Sequence, residues 1–427
     1  MNHQILKAVI YDAHETIRSL EIVPRDYHFV ENVNYILIGL RRAGKSTLLF
    51  KLIQEMVNNG INWDQIIYIN FEDERLAEFT LADFNDIVAT ASEMTPRKPY
   101  YFLDEVQNVT GWERFARRMA DSNEHVYITG SNAVMLSHEM ESRLGGRYMT
   151  MQVYPYNFNE YMDATGVQHD EPAYLTTRLN GRIRAAAENY LHDGGFPESL
   201  KFPVKRDYVE NIYQKILYGD IVARNGIRNP ESLRLLIKKI AETITSEISY
   251  GKLSGAVTAA GCKLSKSAAS DYTRFAENAY LIFHIQNYVS KFAEKESTPK
   301  YYFSDNGLLN LFLINKDTSL LENMVGIHLY QKFGDRLFYF RSAKTGIDID
   351  FYVPDIKTAI QVCYNLENPE TQKRETGSLV KLAHTFADVE TLQIVTLEEE
   401  SRLHIEDTEI EVLPLYKFLG SHENLSL

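Results

Sequence analysis

Short apolar runs alternate with amphipathic stretches along the first third of the chain. Five runs rich in β-branched and aromatic residues predict strands at Asn34–Ile38, Ile66–Phe71, Tyr100–Val106, His125–Thr129 and Tyr148–Tyr154. Helical periodicity separates these runs. The alternation predicts an α/β fold in which helices cover both faces of a mostly parallel sheet, and we assign residues 1–156 to this fold.

The pattern becomes helical from residue 157 to residue 228. Amphipathic stretches such as Arg182–His192 and Arg206–Leu217 carry apolar residues three and four positions apart, which predicts a helical subdomain. The glycine-rich stretch Gly194–Pro197 interrupts this pattern and is predicted to be a tight loop.

Residues 229–298 are predicted to form a winged helix-turn-helix-like module. Three helices joined by short turns are followed by two β-rich runs, the order that is typical of this motif. The predicted helices are Glu231–Ser246, Tyr250–Ala260 and Lys266–Ala279, and the runs that follow them are Tyr280–Gln286 and Tyr301–Ser304.

Three basic residues, Lys263, Lys266 and Arg274, lie in or beside the predicted recognition helix of this module. They suit contact with DNA phosphates. They equally suit the solvated face of a module that binds protein. The expected partner of the module and of the C-terminal region is therefore DNA or protein, and the sequence leaves both open.

The last part of the chain, residues 299–427, mixes strands and helices again. Its predicted strands are Leu337–Arg341, Ile347–Val353, Thr358–Val362 and Thr391–Thr396, with a helix over Glu370–Ala387. The acidic end that follows is interpreted as a solvated face. These elements predict a small α/β domain.

Composition narrows the class of protein. With 427 residues, two to four domains are expected. A net charge of −13 argues against broad charge-driven binding to nucleic acid or to an anionic membrane. The two cysteines form no CxxC pair, and neither an apolar leader nor a membrane-length apolar run is present, so a cytoplasmic location is expected.

The most specific motif of the chain is Gly39-Leu40-Arg41-Arg42-Ala43-Gly44-Lys45-Ser46, which fits G-x-x-x-x-G-K-[ST] at every fixed position. Its glycines let backbone N–H groups turn toward phosphate oxygens. Lys45 would neutralise the β and γ phosphates, and the Ser46 hydroxyl would ligate Mg²⁺. We expect ATP and Mg²⁺ as cofactors, with nucleotide contacts from Gly39, Arg41, Arg42, Ala43, Gly44, Lys45, Ser46 and Thr47.

Two carboxylates, Asp104 and Glu105, end the apolar run that begins at Tyr100. Downstream of a phosphate-binding loop, Asp104 is placed to order Mg²⁺ and Glu105 to orient and deprotonate the attacking water. The alternative is a charged turn at the surface, where ordinary strands also end.

Three further residues are predicted to act in catalysis. Asn132, or its neighbour Ser131, follows the His125–Thr129 strand and could sense the γ-phosphate; the alternative is an ordinary Gly-Ser-Asn turn. Arg143 and Arg147 precede the fifth strand, where an arginine could reach the γ-phosphate of a neighbouring subunit. That role would require a homo-oligomer, and a salt-bridged surface arginine is the alternative.

Taken in order, these motifs resemble those of the bacterial and archaeal AAA+-type ATPases that carry a C-terminal domain of unknown function. The resemblance covers nearly the whole chain, through GLRRAGKST, YYFLDEVQNVTGWERF, YITGSNA, SRLGGRYMTMQVYPYNFNEY, HDGGFPE, YYFSDNGLLN, LLENMVGIHLY and FRSAKTGIDIDFYV. It implies an AAA+ core, a helical and winged-helix middle, and a C-terminal domain similar to PD-(D/E)xK nucleases.

The nuclease-like region departs from that pattern. Glu322 and Asp350 match the expected carboxylates, and Gln361 is a weaker ligand because it brings no charge. Cys363 stands where the lysine of the motif is expected, with Lys373 or Lys381 as conceivable substitutes. The domain is therefore predicted to be degenerate, without nuclease activity.

The sequence thus predicts Mg²⁺-dependent ATP hydrolysis coupled to a conformational change of a C-terminal binding module. Two alternatives remain at this point. One is a nucleotide-gated switch with negligible turnover, against which Glu105 argues. The other is a DNA-processing enzyme with an active tail nuclease, against which Cys363 argues.

Overall fold

The computed structural model describes residues 1–132, 144–291, 295, 298–314 and 317–420. The chain forms two compact units. The first contains Met1–Tyr154 with Asn278–Tyr280, and the second contains Pro155–Glu277 with Leu281–Leu427. Within the described ranges, no helix has both the length and the apolar character needed to cross a membrane.

The first unit is built on a five-stranded parallel sheet in the order β2-β3-β4-β1-β5. The strands are β1 Asn34–Ile38, β2 Ile66–Asn70, β3 Tyr100–Asp104, β4 His125–Gly130 and β5 Tyr148–Gln152. The helices are α1 His3–Ser19, α2 Lys45–Asn58, α3 Phe84–Met94 and α4 Trp112–Asp121. Short 3₁₀ turns connect several of these elements.

The apolar runs became strands because both faces of the sheet are covered. Leu37, Phe102 and Ile128 in the three central strands are fully buried. A parallel sheet buried on both sides needs nearly continuous apolar strands, and this is the pattern that the sequence carries. The predicted α/β fold with a parallel sheet is confirmed for this unit.

Strand β3 is shorter than predicted, and the reason lies in its last residues. The prediction continued to Val106, whereas the strand ends at Asp104. Glu105 has a φ of 53°, in the left-handed region, so the backbone turns away from the sheet at this residue. The turn leaves Asp104 and Glu105 at the carboxyl edge of the sheet.

The second unit contains eleven α-helices among its described residues and one eight-stranded sheet. The helices are α5 Phe158–Thr165, α6 Glu171–Leu175, α7 Thr177–Asp193, α8 Lys205–Lys215, α9 Pro230–Glu242, α10 Tyr250–Ala259, α11 Lys266–Asn278, α12 Asn306–Asn310, α13 Asp317–Phe333, α14 Pro369–Thr385 and α15 Leu415–Gly420. A π-helical segment, Ile216–Ala223, continues α8.

The sheet of this unit has the order β12-β13-β11-β10-β9-β8-β6-β7 and mixes parallel and antiparallel pairs. Its strands are β6 Ile282–Asn287, β7 Lys300–Phe303, β8 Phe338–Ser342, β9 Ile347–Val353, β10 Thr358–Val362, β11 Thr391–Thr396, β12 Ser401–Ile405 and β13 Thr408–Pro414. The acidic end interpreted only as a solvated face therefore contains two strands, β12 and β13.

The strands expected to complete a winged helix are part of this larger sheet. β6 and β7 pair with each other in antiparallel fashion, and β6 also pairs in parallel with β8 at Gln286 and Phe338. The boundary predicted between residues 298 and 299 thus lies between two paired strands of this sheet, and the division into modules stays a prediction. The winged-helix assignment of α9, α10 and α11 stays a prediction.

A buried carboxylate joins two of the glycine-containing motifs. Asp305 accepts hydrogen bonds from the backbone N–H groups of Gly195 (2.7 Å) and Gly307 (2.8 Å). A Cβ on Gly194 would lie 2.1 Å from Asp305 Oδ1, and a Cβ on Gly195 would lie 2.3 Å from the Tyr156 carbonyl oxygen. Glycine is required at both positions because the backbone approaches so closely.

Replacing Gly195 with alanine is expected to lower the free energy of unfolding by about 2–3 kcal/mol, because the new methyl overlaps a backbone oxygen. Gly181, within α7, is the matched control, since a Cβ there meets nothing within 4 Å. Gly181→Ala should stabilise by about 0.5–1 kcal/mol through helix propensity. Chemical denaturation measures both variants, and equal stability of the two would contradict the packing described for Gly195.

Candidate nucleotide site and a buried ion cluster

The phosphate-binding loop runs from the end of β1 to the start of α2. Gly39 has a φ of 141°, and a Cβ there would lie 2.0 Å from the Val153 carbonyl oxygen. Gly44, the N-cap of α2, has a φ of 100°. Both glycines of the motif are thus required by the backbone, and the second lies at the N-terminus of α2, where backbone N–H groups favour an anion.

Lys45 extends back into the loop that precedes it. Its Nζ donates to the carbonyl oxygens of Gly39 and Leu40, both at 3.1 Å, and lies 3.9 Å from Glu105 Oε1. The side chain is only 4% exposed. A buried ammonium held among loop carbonyls is suited to contact the phosphates of a nucleotide.

Arg25 supports the loop from outside the motif. Its guanidinium donates to the carbonyl oxygens of Ala43 (2.9 Å) and Tyr154 (2.8 Å). It thereby connects the loop to the backbone just beyond β5. Sequence analysis missed this residue because nothing in its local context indicates a distant contact.

Asp104 is 1% exposed at the end of β3, and three hydroxyl groups hold its carboxylate. Tyr68 donates to Oδ2, Thr129 donates to Oδ1, and the Ser46 side chain also hydrogen-bonds to it. Burial raises the pKa of Asp104, and the neighbouring Glu105 raises it further. A cation bound here would relieve both effects.

The two residues predicted to hold Mg²⁺, Ser46 and Asp104, are therefore in direct contact. Both supply oxygen donors, which are the ligands that Mg²⁺ prefers. Ser46 and Asp104 would hold the ion, and the charge that Mg²⁺ supplies would offset that of the phosphates. The donor set fits this ion, although Tyr68 and Thr129, which orient Asp104, were not anticipated.

Glu105 is turned toward the loop by its left-handed backbone. Its N–H donates to Thr129 Oγ1 (2.9 Å), and its carboxylate accepts a hydrogen bond from the side chain of Gln107. The same Gln107 amide donates to Ser131 Oγ at 3.4 Å. Glu105, Gln107 and Ser131 thus form one chain of contacts across the ends of β3 and β4.

The structure describes two of the three other residues that were predicted to act in catalysis. Asn132 follows Ser131 at the end of the described range, and its sensor role stays a prediction. Arg147 forms an ion pair with Asp121 and donates to the Leu144 and Gly145 carbonyl oxygens. Arg143 lies outside the described residues. The trans-acting role predicted for the two arginines stays untested, as does nucleotide contact by Arg41, Arg42 and Thr47.

Comparison with known proteins supplies the family. The family model described as an AAA domain matches residues 31–162, and that of a domain of unknown function (DUF8612) matches residues 184–319. An uncharacterized protein of Methanocaldococcus jannaschii is 30% identical over 97% of this chain and 95% of its own length. The chain belongs to the same family as this archaeal protein.

Other similarities are more distant. An uncharacterized protein of Haemophilus influenzae is 30% identical over 70% of this chain and 74% of its own. A Walker-type ATPase of Pyrococcus abyssi has 14% identity and a TM-score of 0.39, over 72% of this chain and 95% of its own. The AAA-domain match to residues 31–162 supports a P-loop ATPase domain of AAA+ type that binds ATP.

Within the second unit of this family member, Lys300 lies between the two carboxylates of the predicted nuclease-like site. Its Nζ is 3.5 Å from Glu322 Oε1 and 3.3 Å from Asp350 Oδ1. A lysine from outside the motif therefore reaches these carboxylates, at a position that the sequence analysis did not name. This lysine comes from β7 and not from the position of Cys363 just after β10, and it is neither Lys373 nor Lys381.

Lys300 is the built-in cation of this cluster. Burial alone would lower the pKa of Lys300, but Glu322 and Asp350 together raise it. Burial raises the pKa of Glu322, against the opposing effect of Lys300. Burial also raises the pKa of Cys363 to about 12, so this residue remains a thiol at neutral pH.

The remaining polar groups do not complete a metal site. Gln361 Oε1 accepts from the N–H of Asp350 (2.8 Å), and its Nε2 donates to Glu375 Oε2 (2.8 Å). Asp350 Oδ2 accepts from the N–H of Val362 (3.0 Å). Since Gln361 is occupied by the protein and the carboxylates already share an ammonium, this donor set does not fit Mg²⁺. We still predict that this domain is degenerate and does not cleave DNA, because its polar groups are already paired with one another.

Lys300→Met is expected to lower the free energy of unfolding by about 3–5 kcal/mol, because it leaves two buried carboxylates without their cation. The double variant Lys300→Met/Glu322→Gln should recover much of that loss, since glutamine removes one of the two charges. Thermal and chemical denaturation measure the recovery. A single and a double variant of equal stability would contradict the ion pairing described here.

Proposed function

We propose that this chain hydrolyses ATP in a Mg²⁺-dependent reaction and transmits the resulting conformational change to its C-terminal half. The observation that carries the proposal is the contact of Asp104 with Ser46 beside the phosphate-binding loop. Two predicted metal ligands, a buried lysine and a second carboxylate converge there from two separate parts of the sequence, Lys45-Ser46 and Asp104-Glu105.

Each residue of the site has a distinct task in this proposal. Lys45 neutralises phosphate charge, and the loop N–H groups bind phosphate oxygens. Asp104 and Ser46 keep the metal in place. Glu105 accepts a proton from the attacking water. The ordered hydroxyls of Tyr68 and Thr129 fix the carboxylate of Asp104 before substrate arrives, which avoids reorganisation during the reaction.

The second unit is where the proposed change is received. Its predicted winged-helix region carries Lys263, Lys266 and Arg274, and Arg274 is partly neutralised by Asp271 at 2.8 Å. With a net charge of −13 over the whole chain, DNA contact would depend on this local surface. We propose a protein or DNA partner here, and a homo-oligomer if Arg143 or Arg147 acts on a neighbouring subunit.

A nucleotide-gated switch with negligible turnover is the competing function. It would need only the loop, Lys45 and the metal ligands. The presence of Glu105 distinguishes hydrolysis from binding alone, because binding does not require a general base. The side chain of Glu105 is positioned by Gln107 and by its own backbone turn, which supports turnover over binding alone.

Glu105→Gln is expected to retain ATP binding but to slow phosphate release by roughly a hundredfold or more, the usual scale for loss of a general base. Lys45→Ala should instead abolish binding. Glu93→Gln, a surface carboxylate of the same unit paired with Lys7, is the matched control and should leave both quantities unchanged. Steady-state phosphate release and equilibrium titration with a fluorescent ATP analogue separate the two effects.

Phosphate release by Glu105→Gln at the parental rate would exclude Glu105 as the base. Undiminished binding by Lys45→Ala would contradict the nucleotide site itself. A parent that binds ATP tightly and releases almost no phosphate would favour the switch.

A further inference from the structure

Gln107 lies in a short 3₁₀ turn, Val106–Asn108, that follows Glu105. The backbone reversal at Glu105 directs this turn back toward the end of β4. As a result the Gln107 amide nitrogen contacts both the Glu105 carboxylate and Ser131 Oγ. The residue therefore lies beside the group that acts as base in the proposed hydrolysis.

The other half of the same amide is unsatisfied. Gln107 Oε1 is buried and has no hydrogen-bond partner among the described residues. The orientation of the amide is fixed by chemistry, because an oxygen facing the Glu105 carboxylate would be repelled. Buried amide oxygens are nearly always paired, so this oxygen is available to accept a hydrogen bond from a donor that enters the site.

The attacking water is a donor of the required kind. Water has two O–H groups, and two acceptors that hold both of them direct an oxygen lone pair outward. Glu105 Oε2 is already engaged by Gln107, which leaves Oε1 for the water. Oε1 lies 3.9 Å from Lys45 Nζ, on the side where the γ-phosphate is expected.

We propose that Gln107 is a catalytic residue that orients the attacking water together with Glu105. Its amide nitrogen donates to the carboxylate, and its amide oxygen accepts from the water. The water oxygen bonds to the γ-phosphorus, the bond from that phosphorus to the bridging oxygen breaks, and its electron pair leaves with ADP. The proton released by water goes to Glu105. This inference rests on the proposed ATPase function.

Replacement of the amide should reduce turnover without changing nucleotide affinity. Gln107→Leu keeps much of the side-chain volume and is expected to lower kcat roughly a hundredfold with an unchanged Kd for ATP. Gln107→Glu replaces the donating amide nitrogen with a carboxylate oxygen that repels the carboxylate of Glu105, so this variant is also expected to lower kcat.

Gln54→Leu is the matched control, because the amide of Gln54 donates only to the Ile17 and Leu20 carbonyl oxygens in the described structure. It should lower the melting temperature and leave kcat unchanged. Comparison of the melting temperatures shows whether Gln107→Leu acts merely by loosening the fold. Gln107→Glu gives a second reading if Gln107→Leu folds poorly.

A double variant separates contact with water from an indirect effect through Glu105. If Gln107 contacts the water, Gln107→Leu should slow single-turnover hydrolysis at least about fivefold further in a Glu105→Gln background. If the rate does not fall further in that background, Gln107 only positions Glu105, and the proposal is overturned.

Failure of the inference is distinct from failure of the proposed function. A parental kcat in Gln107→Leu, measured on a parent that turns ATP over, overturns the assignment of Gln107 alone. A parent that binds ATP without turnover overturns both. The supporting result is an active parent, a roughly hundredfold loss of kcat with an unchanged Kd in Gln107→Leu, and a loss of kcat in Gln107→Glu.

Discussion

The buried carboxylate of Asp104 is the constraint on which the nucleotide site depends. It lies at the carboxyl end of a central strand, and its hydrogen-bond partners there are the neutral hydroxyls of Tyr68, Thr129 and Ser46. Hydroxyl donors orient a carboxylate but do not neutralise it. With Glu105 beside it raising its pKa further, compensation of the charge has to come with the ligand.

The buried carboxylates of the second unit are compensated by the protein itself. Glu322 and Asp350 are also held close together, but Lys300 of β7 supplies their counter-charge from within the protein. That cluster is complete without a metal ion, whereas the cluster around Asp104 is not. This difference in charge balance explains why we place chemistry at the first site and assign a structural role to the second.

The sequence predicted the elements that depend on local pattern. The loop from Gly39 to Ser46 was recognisable because the residues that shape its backbone and bind phosphate all lie within eight consecutive positions. The strands of the first sheet were recognisable because burial on both faces requires continuous apolar runs. Strands β12 and β13 were missed although their signal was present, since Glu409 and Glu411 alternate with the buried Ile410 and Val412.

Contacts between distant positions could not be predicted in this way. Tyr68 is 36 residues from Asp104, and Lys300 is 50 residues from Asp350. Each lies in an apolar strand whose local pattern indicates only burial. These polar atoms meet only in the assembled sheets, where β2 lies beside β3, and where β6 and β8 separate β7 from β9. A lysine at the start of a buried strand was the one available signal that an acidic partner would be found.

The Mg²⁺ dependence of ATP affinity tests the central claim most directly. Equilibrium titrations of the parent and of Asp104→Asn, each with and without Mg²⁺, isolate the contribution of this carboxylate. If the charge of Asp104 is compensated by the metal that accompanies ATP, Mg²⁺ should tighten binding to the parent and have little effect on Asp104→Asn. An equal gain from Mg²⁺ in both proteins would contradict the account.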